Sequence, residues 1–153
     1  VKKLVLIFVL CFYPLLSQAQ MDTFAWMAKG LTFSLPTDCE IVTDDTSRFE
    51  VRKIGFSITL FSFRNTNLNL NNQAEITQEA AKQVPYEKIE HIEFFHSSNF
   101  KCCAVIGTKK EIKIMIMSLL NQKSSQHFAA VLIYNTTNAN EVSQIIKSFW
   151  RRD

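Results

Sequence analysis

Apolar and polar residues alternate through Leu31-Thr32-Phe33-Ser34-Leu35, so Leu31, Phe33 and Leu35 share one face of a predicted strand that ends at Pro36. After a Thr37-Asp38 turn, Cys39-Glu40-Ile41-Val42 reads as a short edge strand, and Asp44-Asp45-Thr46-Ser47 as the next break. Strands over 48–53 and 56–63 follow, joined by a tight turn at Ile54-Gly55. In the second, Phe56, Ile58 and Leu60 alternate with Ser57 and Thr59. The run Phe61-Ser62-Phe63 then switches face, which reads as a bulge or as burial on both sides.

The polar stretch from Asn65 to Asn72 is a loop rich in asparagine, and the pattern beyond it predicts a helix over 74–84. Asn72 is its expected N-cap, Glu75 stands three residues on at capping-box spacing, and Pro85 stops it. Further strands are expected over 90–97, 101–108, 111–121 and 127–135, with turns at Ser98-Asn99, Lys109-Lys110 and 122–125. Phe128 to Tyr134 is almost continuously apolar, as in a central strand covered on both faces. A last helix begins at Asn138 as N-cap, with Glu141 three residues later. Val142, Ile145, Ile146 and Phe149 form its core stripe, and Lys147, Arg151 and Arg152 suit the negative end of its dipole. Strands, a helix, four strands and a helix make an α+β domain with a largely antiparallel sheet of six to seven strands and two helices.

The opening nineteen residues follow a different pattern. Lys2 and Lys3 precede an apolar run over 4–16, and Ser17 and Ala19 are placed as a signal-peptidase site, so the segment reads as a secretory leader cleaved between Ala19 and Gln20. The run falls short of the roughly 20 residues that a bilayer-crossing helix needs, and Pro14 interrupts it. No stable membrane span is expected after cleavage. Cys11 is a poor lipidation site because the bulky Leu10 precedes it. The expected organisation is a signal peptide over 1–19 and one domain over 20–153, periplasmic or secreted.

The leader changes the reading of charge. The 153-residue chain has 17 basic and 14 acidic residues, and Lys2 and Lys3 belong to the leader, so the exported part is close to neutral. It has no basic run longer than Lys109-Lys110 or Arg151-Arg152, and nucleic acid is not an expected partner. Thirteen phenylalanines against three glycines and three prolines describe a regular, well-packed domain rather than a disordered chain.

Gly30-Leu31-Thr32-Phe33-Ser34-Leu35-Pro36 at the start of the domain and Ile145-Ile146-Lys147-Ser148-Phe149 at its end, together with the order of elements, resemble the PsbP-like fold family. The resemblance spans nearly the whole exported part. It rests on strand starts and core positions, with no catalytic motif. It implies an α+β fold found in extrinsic photosystem proteins, Ran-binding Mog-type proteins and small exported bacterial proteins, most of which act by binding. It carries no site residues to this chain.

The exported part retains Cys39, Cys102 and Cys103 in a compartment that permits disulfides. Adjacent strand residues point to opposite faces, so Cys39 can pair with Cys102 or with Cys103 and not both. Either bridge would close a loop of about 63 residues and add roughly 3 to 4 kcal/mol, and the alternative is three inert buried thiols. No C-x-x-C spacing suggests redox catalysis. His91 and His96 stand an odd number of positions apart and face opposite sides of a strand, and His127 opens another strand. All three read as surface or partly buried groups rather than ligands. Asp44-Asp45, with Asp38 and Glu40 nearby, lacks a calcium-loop pattern and reads as a solvated turn. Asn135-Thr136-Thr137 is a glycosylation sequon that matters only in a eukaryotic secretory route. Met115 and Met117 read as strand core.

No cofactor, metal or catalytic residue is expected. The chain reads as a non-catalytic module that binds a protein or small-molecule ligand through its sheet face or the loops around 64–73. The alternatives are a small hydrolase using a histidine with Ser97, Ser98 or Cys103, and a structural subunit of an envelope assembly.

Overall fold

The face of Leu31, Phe33 and Leu35 that alternation predicts is buried along its whole length. In the computed structural model, which describes residues 19–65 and 67–151, this strand is the middle of a small antiparallel sheet. β2 (Leu31–Pro36) lies there between β1 (Met21–Trp26) and β10 (Trp150–Arg151).

The remaining strands form two antiparallel meanders. One holds β3 (Glu40–Asp44), β4 (Arg48–Lys53) and β5 (Phe56–Arg64). The other holds β6 (Lys88–Ser97), β7 (Phe100–Lys109), β8 (Ile112–Asn121) and β9 (Gln126–Tyr134). β5 and β9 join them in unbroken register from Phe56 opposite Tyr134 to Arg64 opposite Gln126, giving one seven-stranded sheet in the order β3-β4-β5-β9-β8-β7-β6. The link between meanders contains α1 (Gln73–Ala81), which packs on the outer face of β7 and β8. α2 (Ala139–Lys147) follows β9 and packs against β2 on the inner side.

The core lies between the inner face of the large sheet and the small sheet with α2. Trp26, Phe33, Phe49, Phe100, Phe128 and Phe149 are its largest fully buried side chains. Each such ring contributes about 1.5 to 3 kcal/mol by leaving water. The edge-on pair Phe33–Phe49, with centroids 5.2 Å apart at 81°, adds up to about 1.5 kcal/mol more. The Trp26 indole N–H donates to the carbonyl of Asp45 at 2.6 Å, which fixes the first strand of the small sheet to a turn of the large one.

Several expectations change. β1 and β10 carry no strict alternation and were not expected from the sequence, since β1 buries fully only Trp26. The last helix stops at Lys147: the Ser148 hydroxyl donates to the Ile145 carbonyl at 2.7 Å and accepts the Ser34 N–H at 2.8 Å. The chain then extends, Phe149 drops into the core, and Arg151 pairs with Leu31 instead of capping a helix dipole. Neither expected N-cap accepts a helix N–H through its side chain: Asn72 Oδ1 accepts the Asn69 N–H instead, and Asn138 Nδ2 donates to the Glu141 carboxylate. The run at Phe61 holds no bulge in its register with β9; Phe61 is instead partly exposed on the outer face. β9 is central, yet Ile133 is exposed, and the strands buried on both faces are β7 and β8, because α1 covers them.

Residues 1–18 of the expected leader, Thr66 of the asparagine loop and Arg152 lie outside the described residues. Among the described residues no helix is long and apolar enough to cross a membrane.

Candidate functional site

β5 ends at Arg64 beside the start of β9 and the end of β8, so two loops meet at that end of the sheet: 65–72 and the hairpin loop 122–125. Between them lies an open cleft of about 520 Å³. Leu68 and Leu120 are buried in its floor and Leu70 is half-exposed at its rim. Asn65, Asn69, Asn71, Asn121, Gln122, Ser124, Ser125 and His127 make the rest of the lining, which includes no charged side chain among the described residues. Such a surface offers hydrogen-bond donors and acceptors over an apolar base, the chemistry of a site for a neutral polar ligand.

The asparagines first build the loop. Asn65 Oδ1 accepts the N–H of Asn67 at 2.8 Å, and Asn69 Oδ1 accepts that of Asn71 at 2.9 Å. The Asn72 amide spans the loop, donating to the Asn67 carbonyl at 2.7 Å and accepting the Asn69 N–H at 2.8 Å. These short side-chain to backbone bonds replace a ladder, which is why the segment holds a shape without being helix or strand.

His127 ties the two loops together. It is 2 % exposed, its Nε2 lies 3.1 Å from the Asn65 carbonyl, and its Nδ1 accepts the Asn121 N–H at 3.3 Å. That pattern requires the neutral Nε2–H tautomer. Burial lowers the affinity of the ring for a proton below the usual histidine value, against the opposing effect of its bond to Asn65. The position follows from β9 pairing, with His127 opposite Phe63. Sequence reading missed this bridge, because its carbonyl partner is 62 residues away. The visible signal was an imidazole placed at the start of an apolar strand.

Of the two readings left open for the cysteines, a bridge from Cys39 to Cys102 or Cys103 and three unpaired thiols, the structure has the second: all three are free thiols. Cys39 precedes β3 at one edge of the sheet, whereas the other two lie in β7, five strand spacings of about 4.8 Å across, far beyond the roughly 7 Å that a bridge spans. Burial and the Asp38 carboxylate push the Cys39 thiol up to about 11, and burial pushes Cys102 up to about 12. Burial also raises Cys103, against a hydrogen bond with Thr77. His91 and His96 are exposed on β6, where the register is continuous between them, and they face opposite sides. The Ser97 hydroxyl is buried and donates to the Phe149 carbonyl at 3.3 Å, and Ser98 forms the adjoining turn at φ 50°. Thus the structure does not bring a histidine to Ser97, Ser98 or Cys103 through any described hydrogen bond. Asp45 Oδ1 accepts the N–H groups of Ser47 and Arg48 and the Ser47 hydroxyl, bonds that lower its pKa and make the acidic stretch a turn. Among the described residues no group of three His, Cys, Asp or Glu stands ready for a metal. Ala19 and Gln20 lie just before β1, where the Gln20 carbonyl accepts the Thr37 N–H at 3.0 Å.

No family model and no curated protein sequence matches the chain. Solved structures do match its fold. The Ran-binding protein Mog1p of Saccharomyces cerevisiae aligns with a TM-score of 0.63 at 8% identity, over 89% of this chain and 97% of its own. The cyanobacterial PsbP protein CyanoP of Synechocystis aligns at 0.62 and 11% identity, over 90% of this chain and 95% of its own. A Bacteroides thetaiotaomicron protein aligns at 0.52 and 9% identity over 89% of this chain, which spans about half of that protein's length (49%). The α+β fold is therefore that of the PsbP and Mog1 structures, and identities this low establish the fold alone.

Proposed function

We propose that the chain is an exported, non-catalytic binding module that takes its ligand in the asparagine-walled cleft. The observation that carries this reading is the cleft itself: two loops clamped by His127 over an apolar floor, within the segment that sequence composition singles out. The amides of Asn71 and Gln122, both exposed, are aligned with no other described side chain and are free to meet a ligand. Mog1p, described as a Ran-binding protein, supports a protein-binding use of this fold. Export rests on the leader pattern, and cleavage after Ala19 would leave β1 and the bond from Thr37 to Gln20 whole.

A photo-crosslinking amino acid placed at Asn71 or at Gln122, in the chain expressed with its own leader, tests both parts. The expected result is a mature N-terminus at Gln20 and one discrete adduct from these two positions that is absent when the probe stands at exposed Ile54. Retention of the leader in the cytoplasmic fraction would overturn export. Identical adducts from Ile54, or turnover in a hydrolase screen abolished by His127→Leu, would overturn the binding reading.

A further inference from the structure

β6 ends the seven-stranded sheet, and among the described residues no strand pairs with its open side. Its first half is unsuited to pairing, because the register breaks between Ile89 and His91 and the charged Lys88 and Glu90 stand there. Bulges and charges are the usual protection of an edge. From His91 to Ser97 the register is unbroken. The opposite edge, β3, has five residues with a break inside it and offers no comparable stretch.

The direction of the free backbone groups follows from the hairpin. A two-residue turn joins Ser97 to Phe100, which makes that closing pair hydrogen-bonded. Counting back by twos, Ile92, Phe94 and His96 direct N–H and C=O away from β7, and their side chains share the outer face. Phe94 is 62 % exposed and Ile92 40 %. Beside them is a hollow of about 240 Å³ lined in part by Leu70, Gln73, Phe94, His96 and Lys101, with no carboxylate in its lining. Lys101 stands directly opposite His96 in the register. Leu70 divides this hollow from the cleft.

We propose that the 91–97 edge of β6 receives an extended segment of a partner protein as an added antiparallel strand, with an acidic side chain opposite His96 and an apolar one opposite Phe94. Only an extended backbone repeats N–H and C=O at the two-residue spacing that Ile92, Phe94 and His96 present. The acidic position follows from the charge of Lys101, which the hollow leaves without a carboxylate. A second copy of this chain fits less well: the outer face of its own 91–97 stretch carries Ile92, Phe94 and His96 and brings no acid to Lys101. The proposal goes beyond the cleft and does not depend on it.

The probe is the end-blocked, fluorescein-labelled peptide Thr-Glu-Thr-Leu-Thr-Val-Thr, titrated with the mature protein and followed by anisotropy. In antiparallel pairing its Glu, Leu and Val bond the edge, while its Thr residues turn their backbone outward. N-methylation of Glu and Leu is therefore expected to weaken binding by about tenfold, since two backbone bonds are lost, and N-methylation of the inner Thr residues by less than about twofold. Lys101→Glu should weaken binding of this peptide, and the peptide with Lys in place of Glu should regain it on that variant. That exchange reads charge contact and not folding. Equal sensitivity to both methylation patterns, absence of saturable binding by either peptide, or a dimer of the chain that Phe94→Lys dissolves would each overturn the proposal.

Discussion

Replacing His127 by leucine removes the clamp of the cleft while keeping apolar volume against Phe63, whose ring centroid lies 5.8 Å from that of the imidazole. The Asn121 N–H loses its acceptor in a buried position, and the Asn65 carbonyl loses its donor at the cleft wall, where water can replace it. An orphaned buried donor costs about 1 to 3 kcal/mol, and a solvated carbonyl adds little, so the expected loss is about 2 kcal/mol. For a domain of this size that corresponds to a melting temperature lower by roughly 5 to 10 °C, read by circular dichroism. Amide hydrogen exchange should rise in the 65–72 loop and at Asn121 and remain unchanged in α2.

The same substitution has a signature in pH. The folded ring binds a proton less readily than the unfolded one, which titrates near 6.5. Above that value both states are neutral and the whole contribution is present. As pH falls through it, the unfolded chain takes up a proton that the native state refuses, and stability is lost. The wild-type protein should therefore lose stability between pH 7.5 and 5.5, and His127→Leu should lose less over that window. A variant that melts within about 2 °C of wild type, or that keeps the full acid sensitivity, refutes the clamp.

Two further outcomes follow from the geometry. Gly107→Ala would place a methyl group 2.5 Å from the Tyr86 ring and 2.6 Å from the Lys88 carbonyl, which belongs to backbone, so overpacking should cost about 2 kcal/mol in a denaturant melt, and an unchanged midpoint would show that β6 moves freely away from β7. Thiol titration of a chain beginning at Gln20 should count three groups after denaturation without reductant, with Cys102 and Cys103 silent in the native state at pH 8; a count of one would show that a disulfide forms.

The legible part of the fold was whatever repeats within a few residues. Leu31, Phe33 and Leu35, or Phe56, Ile58 and Leu60, state their face by alternation, and Gly55 states its turn, which its φ of 70° requires. What depends on distant partners was not legible. β1 has a weak pattern of its own and is a strand because Leu31 to Pro36 pairs with it. β10 is two residues set by the exit of α2. The choice between a disulfide and three free thiols was open in the sequence for the same reason: cysteine count contains no distance, and strand order alone separates Cys39 from β7. The segment around 64–73 was legible as a loop because its asparagine-rich composition marks it, whereas its anchor, His127, was not.

The two faces of the sheet make unequal demands on the sequence, which suits a fold shared with structures at identities of 8% and 11%. The inner face is an interlocked set of rings, with Trp26 between Phe49 and Phe128 and Phe33 between Phe49 and Phe149, so a change there is felt as lost packing. What that face demands is alternation and volume, and many sequences supply both. The outer face beyond α1 makes no such demand. Its asparagine loop is held by side-chain to backbone bonds, and β6 keeps Ile92 and Phe94 in water at some energetic cost. Substitutions at Asn71, Gln122, Phe94 or Lys101 should therefore change binding with little effect on melting, whereas those at Phe33 or Phe128 should do the reverse.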